Sequence, residues 1–332
     1  MKSPGERRGE GAEGGGLSFE RPIRELEQKI AELEALAAST RLDLNGEITL
    51  LRQRLRRQVE ETYTRLTPWE RINVARHLDR PALPDYVAGM CEDFFELHGD
   101  GVFGEDRAIA AGLARIGPER VVLIGHRKGK TTKERLQCNF GCAHPEGYRK
   151  ALRKMRLAEK LRLPVVTLIN TPGAYPGVGA EERGQARAIA ENIYAMFGIR
   201  TPIVCVLIGE GGSGGALGIG VGDRLLILQH SYYSVISPEG CAAILWKTGD
   251  RAPEAAKALR LTAEDLLEFG VVDEIIPEPM GGAHRDPAAT VHAVRERILA
   301  ALADLKTLKV EELLERRYRK FRQMGALAAT RV

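Results

Sequence analysis

The chain has 332 residues, 44% apolar and 28% charged, with 49 basic against 45 acidic side chains and a formal net charge of +4. That balance excludes a disordered chain and supplies a core of normal size; so small a surplus permits an anionic ligand without demanding nucleic acid or a membrane surface. Five cysteines, Cys91, Cys138, Cys142, Cys205 and Cys241, are an odd number in a long chain, which argues against a disulfide framework and for a reducing compartment.

Residues 1–16 are rich in Gly, Glu and Arg and lack the apolar stretch of a secretory signal, so they read as a disordered tail. No segment reaches the apolar length of a membrane helix, and the expected location is the cytoplasm. From Phe19 to about Leu78 the pattern is helical. Ile23, Leu26, Ile30, Leu33 and Ala37 share one face, Asn45-Gly46 breaks the run, and Ile48, Leu51, Leu55, Val59 and Thr62 begin a second helix. Residues 17–80 are thus expected to form a helical extension, either a solvated pair or a docking arm. The basic run at Arg52, Arg54, Arg56 and Arg57, interleaved with Glu60 and Glu61, reads as a solvated face.

After Arg80-Pro81 the character changes, and residues 81–285 read as the α/β core. Ile109–Ile116 and Arg120–Gly125 are predicted strands around a turn at Gly117-Pro118. A helix over Tyr148–Leu161 follows, then a buried strand over Pro164–Asn170, a helix over Glu181–Phe197, a buried strand over Pro202–Ile208, a Gly-rich turn and a strand over Arg224–Leu228. This alternation predicts a largely parallel sheet. The two proline-opened strands, each running into a Gly-rich turn and a helix, form a faint repeat. Residues 286–332 return to helix, over Pro287–Leu302 and Val310–Met324. Their basic cluster of Arg316, Arg317, Arg319, Lys320 and Arg322 suits a helix C-terminus and reads mainly as structural.

The two turns carry the chemistry. Gly209 to Gly218 holds six glycines in ten residues, more than packing usually needs. A helix starting at about Gly215 leaves free N–H groups that can bind an oxyanion, each worth roughly 3–4 kcal/mol of barrier. The first turn, Thr171 to Glu182, is stiffened by Pro172 and Pro176. Glu181 and Glu182 suit the start of the next helix, and a general-base role for one of them is the lesser reading. Three motifs compete. Gly211-Gly212-Ser213-Gly214-Gly215 matches a nucleophile elbow, but Asp273 and His284 carry no signature as partners. Gly125-His126-Arg127-Lys128-Gly129-Lys130-Thr131 is one residue short of a P-loop, which disfavours ATP and leaves a basic loop that can touch an anionic substrate. Cys138, Cys142 and His144 lack the second cysteine pair of a zinc site.

Four segments together are specific: Ile169 to Gln185, Ile208 to Leu217, Ser234 to Ala242, and Pro145 to Leu152. They strongly resemble the carboxyltransferase alpha-subunit family of multisubunit bacterial and plastid acetyl-CoA carboxylases, and the likeness runs from about Leu17 to Met324. The resemblance implies a crotonase-like spiral of ββα units with an N-terminal helical hairpin and C-terminal helices. It implies an α2β2 heterotetramer whose beta subunit carries a zinc ribbon and most of the acetyl-CoA site, no metal or cofactor on this chain, and no membrane partner. Carboxybiotin would arrive on a biotin carboxyl carrier protein, within an ATP-dependent holoenzyme that includes biotin carboxylase. By resemblance, Gly214 and Gly215 are the catalytic oxyanion site for biotin, and Gly173, Ala174, Tyr175, Pro176, Gly177, Val178 and Gly179 line its pocket. Three other readings stay open at this point: a single-chain crotonase-like enzyme, a serine hydrolase at Ser213, and an assembly or nucleic-acid-binding role.

Overall fold

A computed structural model describes residues 16–40 and 42–325; the reading of residues 1–16 as a disordered tail falls, except for Gly16, outside them. The chain divides after Leu66 into two units. In the first, α1 (Arg21–Thr40) packs on α2 (Asn45–Thr64). Their cross-links run in opposite order along the two helices: Tyr63 donates to Glu20 at 2.6 Å, and Arg52 to Glu34 at 2.7 Å. The helices are therefore antiparallel, and the break falls before Asn45-Gly46, which open α2 rather than interrupt the run. Ile23, Ile30, Ile48 and Val59 are buried, which follows the predicted apolar faces.

The second unit opens with α3 (Pro68–Ala75), started by a Thr67/Glu70 capping box, and α4 (Leu83–Met90). Then come β1 (Asp93–Glu96), β2 (Ile109–Ile116), β3 (Glu119–His126), the short α5 (Thr132–Gln137) and α6 (Pro145–Leu161). Next are β4 (Val165–Thr171), α7 (Val178–Glu182), α8 (Gln185–Gly198), β5 (Ile203–Gly212), α9 (Ser213–Leu217), β6 (Arg224–Leu228) and β7 (Tyr232–Ser234). The chain closes with α10 (Pro238–Trp246), α11 (Ala252–Leu259), α12 (Ala263–Glu268), β8 (Glu274–Ile276), α13 (Pro287–Leu305) and α14 (Val310–Gln323). The sheet runs β1-β2-β3-β4-β5-β6-β8, with β7 pairing the end of β5. Only β1–β2 and β2–β3 are antiparallel, so the largely parallel arrangement holds.

Every residue of β4 and β5 is buried, because helices cover both faces. Alternation sorts the side chains. Ile203, Cys205 and Leu207 face Tyr148, Ala151 and Met155 of α6 and Ala188 and Met196 of α8. Val204, Val206 and Ile208 face Leu83 and Tyr86 of α4 and Val294, Ile298 and Leu302 of α13. No helix among the described residues is long and apolar enough to cross a membrane.

Three local predictions shift. The helix expected from Glu181 starts at Val178 and breaks at Gly184, whose φ of 80° ends α7 before α8 begins. Gly209 to Gly212 are not turn: β5 continues through them, paired to β7. Helix α9 therefore starts at Ser213, two residues before the predicted start. The C-terminal cluster is structural, but not chiefly through the helix dipole. Arg317 is buried and forks onto both oxygens of Asp223, at 2.8 and 2.7 Å, and onto the carbonyls of Met196, Ile199 and Thr201. Lys320 adds a bond to Asp273 at 2.9 Å.

Truncating Arg317 leaves Asp223 buried without its counter-charge. Arg317→Ala should cost about 3–5 kcal/mol, and Arg317→Lys should recover little, because one ammonium cannot replace a planar fork serving five acceptors. Urea denaturation measures both; an Arg317→Ala midpoint equal to that of the parent would rule out the staple.

Candidate functional site

The site is built where β4 and β5 end. Their pairing is regular to Ile169↔Leu207 and then jumps to Thr171↔Gly211, so β5 carries extra residues across the gap. The side-chain oxygen of Asn170 fills it and accepts the Glu210 N–H at 3.1 Å. The irregularity swings the end of β5 from β6 to β7 and delivers Gly212 onto the first turn. A Cβ on Gly212 would stand 2.8 Å from Gly173 N; one on Gly215 would stand 2.5 Å from Ala174 N and 2.9 Å from Gly173 Cα. Two glycines thus let the second segment lie backbone against backbone on Pro172–Gly173–Ala174. Gly214 differs: a Cβ there would meet only Ile189, at 3.8 Å. The structure therefore brings the predicted Gly215 directly against the predicted first turn, while the predicted Gly214 faces Ile189 instead.

Each side of this junction is held. Thr171 Oγ1 donates to the Gly173 carbonyl at 2.7 Å and accepts its N–H at 3.1 Å, while Gly173 itself has φ 154°. Tyr175 N donates to the Ala143 carbonyl at 3.0 Å, and Gln185 Nε2 bridges the carbonyls of Ala143 and Tyr175. The Tyr175 ring stacks on His144 at 4.1 Å, and Gly177 makes room for its edge. Pro176 and Val178 are exposed, Gly179 is half-buried beside Arg183, and Glu181 and Glu182 lie exposed on α7. Behind α9, the Tyr148 hydroxyl donates to the Gly215 carbonyl at 3.3 Å. Helix geometry leaves the N–H groups of Ser213, Gly214 and Gly215 without intrahelical acceptors. On the Gly214 side lies an apolar slot of about 310 Å³ walled by Leu217, Tyr233, Val235, Leu266 and Phe321. The buried Tyr233 hydroxyl there has no hydrogen-bond partner among the described residues.

Sequence reasoning passed over the residue that organises the other side. Glu210 is buried and binds Lys128, Arg76 at 2.8 Å and the Tyr232 hydroxyl at 2.7 Å. Burial works against its charge, but Lys128 and Arg76 overcome that and hold its pKa at about 2. Arg76 also reaches Glu239 at 2.5 Å. His126, at the end of β3, is pushed down to about 3 by burial and by Lys128; its neutral ring accepts the Asn170 N–H at 3.4 Å.

The competing motifs resolve. Ser213 has φ 49°, the strained geometry of a nucleophile elbow, but among the described residues no His, Asp or Glu lines the slot beside it. Asp273 is bound to Leu225 N and Lys320, and His284 stacks on His77 at 4.1 Å. The loop after β3 sends Lys128 to Glu210 and Lys130 to Asp85. Cys138 is buried and Cys142 half-buried, with both thiol pKa values pushed up by burial, and His144 turns to Asn139 and Tyr175 instead.

The family described as acetyl co-enzyme A carboxylase carboxyltransferase-like matches residues 16–325. The chain is 53% identical over 312 residues to the acetyl-coenzyme A carboxylase carboxyl transferase subunit alpha of Rhodopirellula baltica, covering 94% of this chain and 98% of that one. It is 55% identical over 312 residues to the subunit of the same name from Thermus thermophilus, covering 94% and 99%. Among solved structures it is similar to transcarboxylase 12S, with TM-score 0.57 and 20% identity over 69% of this chain and 42% of that one. It is also similar to the beta subunit of geranyl-CoA carboxylase from P. aeruginosa, with TM-score 0.54 and 17% identity over 76% and 45%. The chain spans less than half the length of either, and at these identities the likeness speaks for the fold alone, which is the expected crotonase-like one. The chain belongs to the carboxyltransferase alpha-subunit family of acetyl-CoA carboxylase.

Two expectations follow from the geometry. Gly215→Ala must push apart two backbones and should cost about 1–3 kcal/mol, while Gly214→Ala, with room for its methyl, should be neutral or stabilise by up to about 1 kcal/mol. Thermal denaturation distinguishes them, and equal losses would contradict the packing described. Glu210→Gln should cost about 3 kcal/mol at neutral pH. A depressed carboxylate stabilises above its ordinary pKa of 4.5 and loses that contribution as pH falls towards about 2. The gap between parent and variant should therefore narrow below pH 4.5 in urea titrations; a gap that stays constant down to pH 3 would show that the charge is not what matters.

Proposed function

We propose that this chain, as the alpha subunit of an acetyl-CoA carboxylase carboxyltransferase, transfers the carboxyl group of carboxybiotin to acetyl-CoA, with Gly214 and Gly215 as its catalytic backbone. The observation that carries the reading is the junction of the two Gly-rich segments, which offers amide N–H groups and, among the described residues, no side-chain nucleophile paired with a base. Carboxyl transfer needs that kind of site. The N1–carboxyl bond of carboxybiotin breaks to release carbon dioxide, and its electron pair spreads onto the ureido oxygen. Biotin N1 then takes a proton from the acetyl methyl, and the resulting enolate carbon attacks carbon dioxide to give malonyl-CoA. Negative charge passes through two oxygens, the ureido oxygen and the thioester oxygen, and no protein base is required. The N–H groups at the start of α9 serve the ureido oxygen, each worth about 3–4 kcal/mol of barrier. The stiff turn from Gly173 to Gly179 lines the biotin pocket, and the apolar slot beside Gly214 suits a ring system that carries few polar atoms.

The thioester oxygen then needs a second site, which this reading places on a beta subunit that also carries the zinc ribbon. The working assembly is an α2β2 heterotetramer served by a biotin carboxyl carrier protein. This reaction, which gives malonyl-CoA, is the first committed step of fatty acid biosynthesis.

The test is reconstitution. The chain alone should show no biotin-dependent malonyl-CoA turnover, and addition of a beta subunit should restore it; robust turnover by the isolated chain would overturn the two-subunit reading. In the restored complex Ser213→Ala should keep activity within about threefold, because only its backbone is used. A loss of several orders of magnitude with assembly intact, or labelling of Ser213 by a fluorophosphonate, would return the site to hydrolase chemistry.

A further inference from the structure

The near-P-loop after β3 has no part in the reading above, yet the fold gives it a place. Lys128, Gly129 and Lys130 form one wall of a cavity of about 250 Å³, which Arg76, Arg135, Phe140 and Pro172 help to close. Its cations outnumber the carboxylates that meet them. Arg76 and Lys128 share Glu210, Arg76 also takes Glu239, Lys130 meets Asp85, and Arg80 is bound to Glu278. Arg135 is held only through Nε, by the Gly129 carbonyl at 3.4 Å, and by no carboxylate among the described residues. Its guanidinium keeps donors for an incoming anion.

The aromatic wall is set by backbone conformation. Asn139, Phe140 and Gly141 have φ of 46°, 55° and 87°, three left-handed residues in a row. For Asn139 and Phe140 this conformation is uncommon, and such outliers gather at ligand sites. Bonds from Gly141 N to the Cys138 carbonyl at 2.8 Å and from Cys142 N to the Asn139 carbonyl at 2.9 Å hold it. Gly141 packs tightly against Lys128 and the Asn170 carbonyl: a Cβ there would stand 2.8 Å from Lys128 Cγ and 3.1 Å from that oxygen. Phe140 is left half exposed at the cavity's edge. A bare anion would use the cations and leave the ring and the volume idle. A flat ring joined to a phosphate uses all three.

We propose that this cavity binds a phosphorylated nucleoside, with the base against Phe140 and the phosphate at Arg135 and Lys130. The same chemistry has two sources, the nucleotide end of a CoA thioester or a free nucleotide; the first of these rests on the carboxyltransferase reading, and the second does not.

Calorimetric titration of the full chain without its partner tests this, using adenosine 3′,5′-bisphosphate, CoA, ATP, adenosine and inorganic phosphate as probes. At least one nucleotide should bind well below millimolar, and adenosine and inorganic phosphate at least about tenfold more weakly. Arg135→Ala and Lys130→Ala should each weaken nucleotide binding about tenfold, the scale of one charge-assisted bond. Phe140→Ala should weaken it by about five- to tenfold, the lower range for loss of one stacked ring. Binding of CoA and the bisphosphate but not ATP supports the CoA source; binding of ATP supports a free nucleotide. Absence of all binding at millimolar concentration overturns the proposal. So does binding of inorganic phosphate as tight as that of the nucleotides, or nucleotide binding untouched by the three substitutions in variants with parental circular dichroism. Because no turnover is measured, failure here leaves the carboxyltransferase reading standing, and failure of reconstitution leaves this titration intact.

Discussion

Everything that gives this chain a site depends on the approach of two backbones. Where Gly212 and Gly215 meet Pro172–Gly173–Ala174, a single methyl on either glycine would overlap main-chain atoms. The contact fixes the start of α9 relative to the end of β4, two points separated in sequence by some forty residues but joined by adjacent parallel strands. Preorganised amides are effective because they need no rearrangement when charge develops, and a backbone wedged against another backbone is among the stiffest ways to hold them. The bulge between Ile169 and Thr171 makes the approach possible, since without the extra residues β5 would continue along β6 and miss the turn.

Around that junction the charges are arranged to hold rather than to react. Glu210 stands one residue before the Gly-Gly-Ser segment and binds Lys128 from the loop after β3, Arg76 from beyond α3 and Tyr232 from β7. Three parts of the fold therefore converge on one buried carboxylate. Its position next to the amide-bearing helix, and its depressed pKa, suit a fixed anchor and not a proton carrier. The neutral His126 beside Asn170 fits the same pattern.

The sequence made the parallel core readable because two proline-opened apolar runs are long, uniform and followed by glycines; buried strands look like this whatever surrounds them. The helical hairpin was readable from its periodicity, and glycine density marked the segment whose Gly212 and Gly215 pack on the first turn. What escaped was non-local. Arg76 meets Glu210 across 134 residues, and nothing near either one announces the other. A signal did exist: Glu210 is an ionisable group inside an otherwise uncharged run, and such a group requires a counter-charge from somewhere. The end of β5 was misplaced because glycines that pair with β7 look, in one dimension, like glycines in a turn. Arg317 was grouped with its solvent-facing neighbours because burial of one arginine among several depends on Asp223 and three carbonyls that lie around a hundred residues earlier.

That last feature bears on how the protein is made. Asp223 and the carbonyls of Met196, Ile199 and Thr201 are synthesised well before the residue that satisfies them. While translation continues, the sheet and its helices can assemble, but an anion and three acceptors remain without their cation until α14 emerges. The core is thus finished by a segment that leaves the ribosome around a hundred residues after the acceptors it satisfies. A message truncated shortly before Arg317 would yield a chain with nearly all of its apolar core and an unneutralised charge inside it, the kind of product that cellular quality control meets as partly folded and removes.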